Sequence, residues 1–318
     1  MTRTKALVES SLLVALAVVL FMASNTIPVV RIIFTFLCPA PLVVLGLRHS
    51  LKRAALGSVV ATVIISLLLG VVGGVFFLFG FAVLGVGLGA LGRKRDNAVE
   101  IVLYGILVSL SSKLLLMVIV SRLTGVNPFS LETADFEAIL DKVVSVYTNT
   151  GLIPDQSISA MKGQLEATFR IIPQVFPAIL TVAAAIDCLL SYVVSRVVLV
   201  RLGRGVLPPL PPFGEWRLPR NIFWALLASA LLPLVGGTGP WAAWLSKAGT
   251  NLRLLVSLLF MIQGMSVAWS LLGGTRISSK TARGLIIFFA VLVPVLSYLL
   301  IILGLVDIWW DLRTRLRR

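Results

Sequence analysis

GILVSLSSKLLLMVIVSRL, Gly105 to Leu123, decides the class of fold. The stretch has nineteen residues and no proline, and only Lys113 and Arg122 are charged. A run of this length and apolarity reads as a membrane-spanning helix, because about 20 residues rising roughly 1.5 Å each cross the hydrocarbon core. Lys113 sits at its centre, where a cation costs about 2.5 kcal/mol or more. Such a residue is shielded, paired or functional, and the rest of the chain must supply its partner.

Composition agrees with the membrane reading. Of 318 residues, 58% are hydrophobic and 13% charged, and the mean hydropathy is +1.03. Soluble domains are about 45–50% apolar and about 25% charged. The apolar runs are continuous rather than alternating, so helices and not a barrel satisfy the backbone in lipid. The expected fold is all-α, a polytopic transmembrane helix bundle. The net charge of +15 does not point to nucleic acid. The basic residues form short clusters between apolar runs, as the positive-inside asymmetry requires, and no basic domain carries interleaved aromatics. Cys38 and Cys188 lie in apolar stretches and His49 is the sole histidine, so neither a metal nor a cofactor is expected.

Nine spans are expected, near residues 5–23, 32–47, 54–70, 75–91, 98–123, 171–200, 221–235, 252–272 and 284–306. If all cross, Arg48, Lys52 and Arg53, then Arg93, Lys94 and Arg95, fall on one side, together with Arg201, Arg276 and Arg283. That predicts a multi-pass protein of the plasma membrane with a cytoplasmic N-terminus. Nine crossings leave the basic tail (Arg313, Arg315, Arg317, Arg318) outside. Eight crossings plus a re-entrant segment broken at Pro294 would return it, and both readings stand. The domains expected are a six-helix core at 1–206, a linker at 207–220 and a three-helix unit at 221–318. The core carries an external amphipathic insertion at 125–170. There Phe136, Ile139, Leu140 and Val143 recur at helical spacing, as do Ile158, Met161, Leu165 and Phe169. The linker, LPPLPPFGEWRLP, should be stiff and polyproline-like, with Phe213 and Trp216 as anchors for a docking partner.

A partner for Lys113 follows from depth. Lys113 lies fifteen residues beyond Ala98, and Asp187 lies fourteen before Arg201. On consecutive antiparallel helices they share a level, and opposite charges keep each other ionised. Ser109, one turn away, and Ser112 complete the polar set. The pair is either a static clamp on helix register or a site for a small polar ligand or ion. Asn25 and Arg31 flank the first outer loop and are candidate ligand contacts. Ser11 with Ala15, and Gly85 with Gly89, form small-xxx-small pairs for close helix packing. HExxH, paired intramembrane aspartates, GxSxG with a histidine and a Walker motif are all missing, so no enzyme is expected.

Four stretches carry a resemblance: FTFLCPAPLVVLGL, LPPLPPFGEWRLP, FMIQGMSVAWSLL and LGLVDIWWDLR. Through them the whole chain resembles the YybS-like family, polytopic bacterial membrane proteins of unassigned function. The first six spans are also similar to the S components of energy-coupling factor transporters. Those have six helices, a cytoplasmic N-terminus and a small-residue face on the first helix, here Ser11 and Ala15. That resemblance implies capture of a vitamin-like solute from outside, with Lys113 and Asp187 on helices that line the site. It also implies a transmembrane coupling subunit and ATPase subunits as partners. The chain adds three spans and a long insertion to that plan. The function expected is non-enzymatic binding or transport of a small polar solute. The alternative is a membrane scaffold or regulator of the cell envelope acting through protein partners.

Overall fold

A computed structural model of the chain describes residues 3–27, 31–125, 155–203, 207–235, 239, 241–274 and 279–315. The first amphipathic run of the insertion, Phe136 to Val143, lies outside the described residues. The second falls within a helix, but its side chains are not among those described. No strand occurs among the described residues. The helices are α1 (Arg3–Thr26), α2 (Arg31–Leu37), α3 (Ala40–Arg48), α4 (Leu51–Phe77), α5 (Val83–Lys94), α6 (Ala98–Thr124) and α7 (Asp155–Arg201). After them come α8 (Ile222–Val235), α9 (Ala242–Gly273), α10 (Lys280–Leu292), α11 (Pro294–Trp310) and α12 (Leu312–Arg315). The chain is therefore a polytopic helical membrane protein. Its long helices turn large apolar side chains outward, Leu67 at 82% exposure and Leu56 at 66%, as only lipid would reward.

Local chemistry starts and stops these helices. Ser50 accepts Arg53 N–H at 3.2 Å at the start of α4, and Asn97 Oδ1 accepts Val99 N–H at 2.9 Å at the start of α6. Gly125 closes α6 with φ of 72°. The run 51–94 is not one straight rod. Gly70 has φ of 80° and ψ of 168°, a conformation that favours glycine. A Cβ on Gly74 would lie 3.0 Å from Thr62 O and collide with Ser66. In a straight helix twelve residues span about 18 Å, so the chain reverses at Gly70. The expected third and fourth spans form this hairpin.

Among the described residues, five helical runs are long and apolar enough to cross a membrane, Thr4–Thr26, Leu51–Lys94, Ala98–Thr124, Ile171–Arg201 and Ala242–Gly273, or six if the bent pair Lys280–Leu292 with Pro294–Trp310 counts as one. Ile222–Val235 is shorter. The expected second span is broken into α2 and α3 at Cys38–Pro39.

The chain divides into two compact units, Met1–Leu131 with Leu180–Leu210, and Glu132–Ile179 with Pro211–Arg318. In the first, Val14, Ala17, Val18 and Phe21 of α1 pack with Leu42 and Leu45 of α3 and with Ile65 and Phe77 of α4. Gly85 and Gly89 bring α5 onto α3: a Cβ would lie 2.8 Å from Pro39 O at the one and 3.4 Å from Gly46 Cα at the other. Ser11 and Ala15, in contrast, are exposed. The packing face of α1 is the bulkier Val14–Phe21 stripe. The small residue at that crossing is Gly57 of α4, whose Cβ would meet Val14 Cγ2 at 2.7 Å. The close packing expected of Ser11 and Ala15 is thus absent within the described chain.

In the second unit α9 and α11 cross with backbones touching. A Cβ on Gly264 would overlap Leu300 O, and one on Gly304 would overlap Phe260 O. The pair α10–α11 is bent by 107° at Val293–Pro294. Both outer ends of this V line one cavity, Arg283 from α10 and Arg313 and Thr314 from the tail. The V therefore enters and leaves at one end of the unit. By length and composition the pair is either one broken span or a re-entrant loop, and the basic tail comes back beside residues 212–217.

Candidate functional site

Small residues build the first site. The buried residues of α6 are Ala98, Ile101, Gly105, Ser109 and Ser112. A Cβ on Gly105 would lie 2.6 Å from Cys188 Sγ and 2.8 Å from Leu88 Cδ2, so α6 and α7 approach closely just beside Asp187. Lys113 Nζ then donates to Asp187 Oδ2 at 2.6 Å and to Ser109 Oγ at 2.8 Å. The side chains keep only 18% and 10% exposure. Ser112 faces elsewhere and donates at 2.5 Å to Phe79 O. That carbonyl lies in the π-turn Leu78–Ala82, whose widened pitch disturbs the regular backbone pairing.

The site is not closed on itself. Asp187 Oδ1 is buried with no hydrogen-bond partner, and so is Ser191 Oγ, one turn along the same face of α7. Ser195 continues the stripe, donating to Ser191 O at 2.6 Å. Asp187, Ser191 and Ser195 are all buried. A carboxylate oxygen and a hydroxyl left empty inside an apolar bundle each carry a desolvation penalty of about 1–3 kcal/mol. Ser191 and Ser195 were not among the residues expected here, although their spacings of four and eight from Asp187 are visible in the sequence.

The other expected contacts stand apart. Asn25 turns back on its own helix, donating to Phe21 O at 3.1 Å. Arg31 is exposed at the start of α2. At the far end of α1, Glu9 pairs with Arg48 and lies 3.2 Å from His49 Nε2. Burial holds His49 below the usual histidine range against the pull of Glu9, with Arg53 and Arg48 lowering it further.

The second unit has a polar network of its own. Asp307 Oδ1 accepts Leu312 N–H at 3.0 Å, and Oδ2 accepts Gln263 Nε2 at 2.7 Å. Arg313 Nε lies 3.4 Å from Oδ2, while Arg313 donates to Gly214 O and to Trp216 O. Gln263 Oε1 accepts Leu218 N–H at 3.1 Å, and Ser266 donates to Phe213 O at 2.5 Å. Burial draws the Arg313 guanidinium below its ordinary value and Asp307 draws it back. An arginine stays charged there. Phe213 meets the rings of Trp216 at 5.4 Å and Trp269 at 6.1 Å. The two expected docking anchors are thus engaged by their own chain, because α9 presents Trp269 and Ser266 to them. The linker is likewise seated: Tyr192 donates to Pro208 O at 2.6 Å, and Leu207 is buried.

An all-helical bundle with an apolar outer face and a buried charge pair defines an integral membrane protein. Residues 15–308 match the family described as Predicted membrane protein (DUF2232), and the chain belongs to that family. It is also 24% identical over 323 residues, covering 100% of both chains, to the "Uncharacterized protein YybS" of Bacillus subtilis (strain 168). No solved structure matches it.

Proposed function

We propose that the first unit binds a small polar solute at Lys113 and Asp187, as a non-enzymatic, S-component-like membrane protein with its N-terminus in the cytoplasm. The observation that carries this reading is the empty pair, Asp187 Oδ1 and Ser191 Oγ. A clamp that only fixed helix register would be expected to satisfy both carboxylate oxygens, since a half-satisfied buried network costs more than an apolar one. The solute would offer a donor to Asp187 and an acceptor to Ser191. Transport would require a coupling subunit and ATPases, and the exposed Ser11–Ala15 face of α1 is a surface open to such a partner. The plasma membrane is the location this implies.

The test is thermal unfolding of the purified protein against amino acids, nucleobases, vitamin-like carboxylates and monovalent cations. One class should raise the midpoint of the wild type and leave the double variant Lys113→Met with Asp187→Leu unmoved. A ligand at a hundred times its Kd adds about 2.7 kcal/mol. Equal responses in both proteins, or none, would move the weight to a scaffold acting through protein partners.

A further inference from the structure

The second unit holds a polar cavity and an apolar one on the same bent helix pair. The polar cavity, about 620 Å³, is lined by Arg217, Arg283, Arg313, Glu215, Ser270 and Trp269, among others. The apolar one, about 400 Å³, lies between the arms of the V, lined by Ala290 of α10 and by Leu296, Leu299, Leu303 and Val306 of α11. Ala290 is seven residues past Arg283 within α10. Seven residues of helix rise about 10.5 Å. A cationic chamber thus sits roughly two turns above an apolar wedge. Phospholipids have that shape: a phosphate on top and an acyl chain below.

We propose that the α10–α11 V binds an anionic phospholipid, its phosphate held by Arg217 and Arg283 and an acyl chain in the wedge. Arg313 builds the wall, since its donors are committed to Gly214 O, Trp216 O and Asp307. Arg217 is free to exchange partners. Its bond to Asp311 is 3.1 Å long on a side chain 57% exposed, and pairs of that kind are worth little. Arg283 lies over the Trp269 ring, 5.1 Å from its centroid. Glycine makes its seat: a Cβ on Gly273 would come 2.8 Å from Arg283 Nη1. The Trp269 indole thus holds the Arg283 guanidinium at the cavity wall, and a guanidinium is the group that meets phosphate oxygens two at a time. Glu215 is exposed at the rim and can take a headgroup hydroxyl. Trp309 and Trp310, which close α11, are more than half exposed, as side chains of the membrane interface are.

The test uses the full-length protein, purified in detergent and stripped of lipid, with thermal unfolding as the readout. Phosphatidylglycerol, phosphatidylcholine and glycerol 3-phosphate are each titrated. The expected result is stabilisation by phosphatidylglycerol at concentrations where the other two do nothing. Arg217→Gln with Arg283→Gln should raise the concentration for half-maximal effect about thirtyfold. Leu299→Trp, which fills the wedge and leaves the arginines alone, should weaken phosphatidylglycerol in the same way, and it decides the matter if the arginine variant does not fold. An equal response to phosphatidylcholine would overturn the proposal. So would an equal response to glycerol 3-phosphate, which would make the chamber a site for soluble phosphate esters, or variants that respond as the wild type does.

Discussion

Asp187 and Asp307 are both buried carboxylates on long apolar helices, 7% and 6% exposed, yet their surroundings differ. Asp307 spends both oxygens, on Leu312 N–H, on Gln263 and toward Arg313. Asp187 spends one, on Lys113, and keeps the other buried and empty. Burial alone therefore does not tell the two acids apart. The count of satisfied lone pairs does. Asp307 holds the tail, the 211–218 segment and α9 together. Asp187 holds one helix to another through a single oxygen.

That contrast can be broken at several points. The largest effect should come from Asp307→Ala, which strips three partners at once and leaves Arg313 uncompensated. About 3–5 kcal/mol of stability should be lost, seen as a lower unfolding midpoint and faster tryptic cleavage at Arg313 and Arg315. An unchanged midpoint would mean the network is idle. Next comes Lys113→Met, which strands a carboxylate and should cost about 3 kcal/mol. Adding Asp187→Leu should recover most of it. If the double variant loses the sum of its two single losses, the two residues are not coupled. Gly105→Val should cost about 1–3 kcal/mol by overpacking and should also shrink the coupling measured in that cycle, because it pries α6 from Cys188 on α7.

Two serines sharpen the comparison further. Ser266→Ala removes the donor to Phe213 O and should cost about 1 kcal/mol. Ser191→Ala removes a hydroxyl that has no partner, so stability without solute should hold or rise slightly while solute binding weakens. The smallest effect concerns pH. His49 has its folded pKa below the unfolded value of 6.5, so the unfolded chain binds the proton more readily. Its stabilising share is complete above pH 6.5 and is lost as the pH falls through the folded pKa. The unfolding midpoint should therefore fall faster with acidification in the wild type than in His49→Gln. Identical pH profiles would remove His49 from the account.

The facing of Lys113 and Asp187 is legible from the chain because it needs only a helix rise and two residue counts. The helical spans, including those on either side of Gly70, are legible for the same reason: apolar length is a local property. The position of the turn is not. GVVGGV offers three glycines, and only the folded backbone selects Gly70 for positive φ. The Asp307 network is not legible either, since Gln263, Gly214 and Arg313 meet only after the V has folded back. Pro294 hints at a break but not at its 107° angle. Ser191 and Ser195 lie between these cases. Their spacing from Asp187 is plain, but serines in membrane helices commonly bond their own backbone, so spacing alone does not mark one left empty.

The most direct test is a density map of the protein in native lipid, at a resolution that shows ordered water around Asp187. The account predicts a non-protein feature within hydrogen-bond distance of both Asp187 Oδ1 and Ser191 Oγ. A protein donor turned onto Oδ1, closing the carboxylate as Leu312 and Gln263 close Asp307, would contradict it.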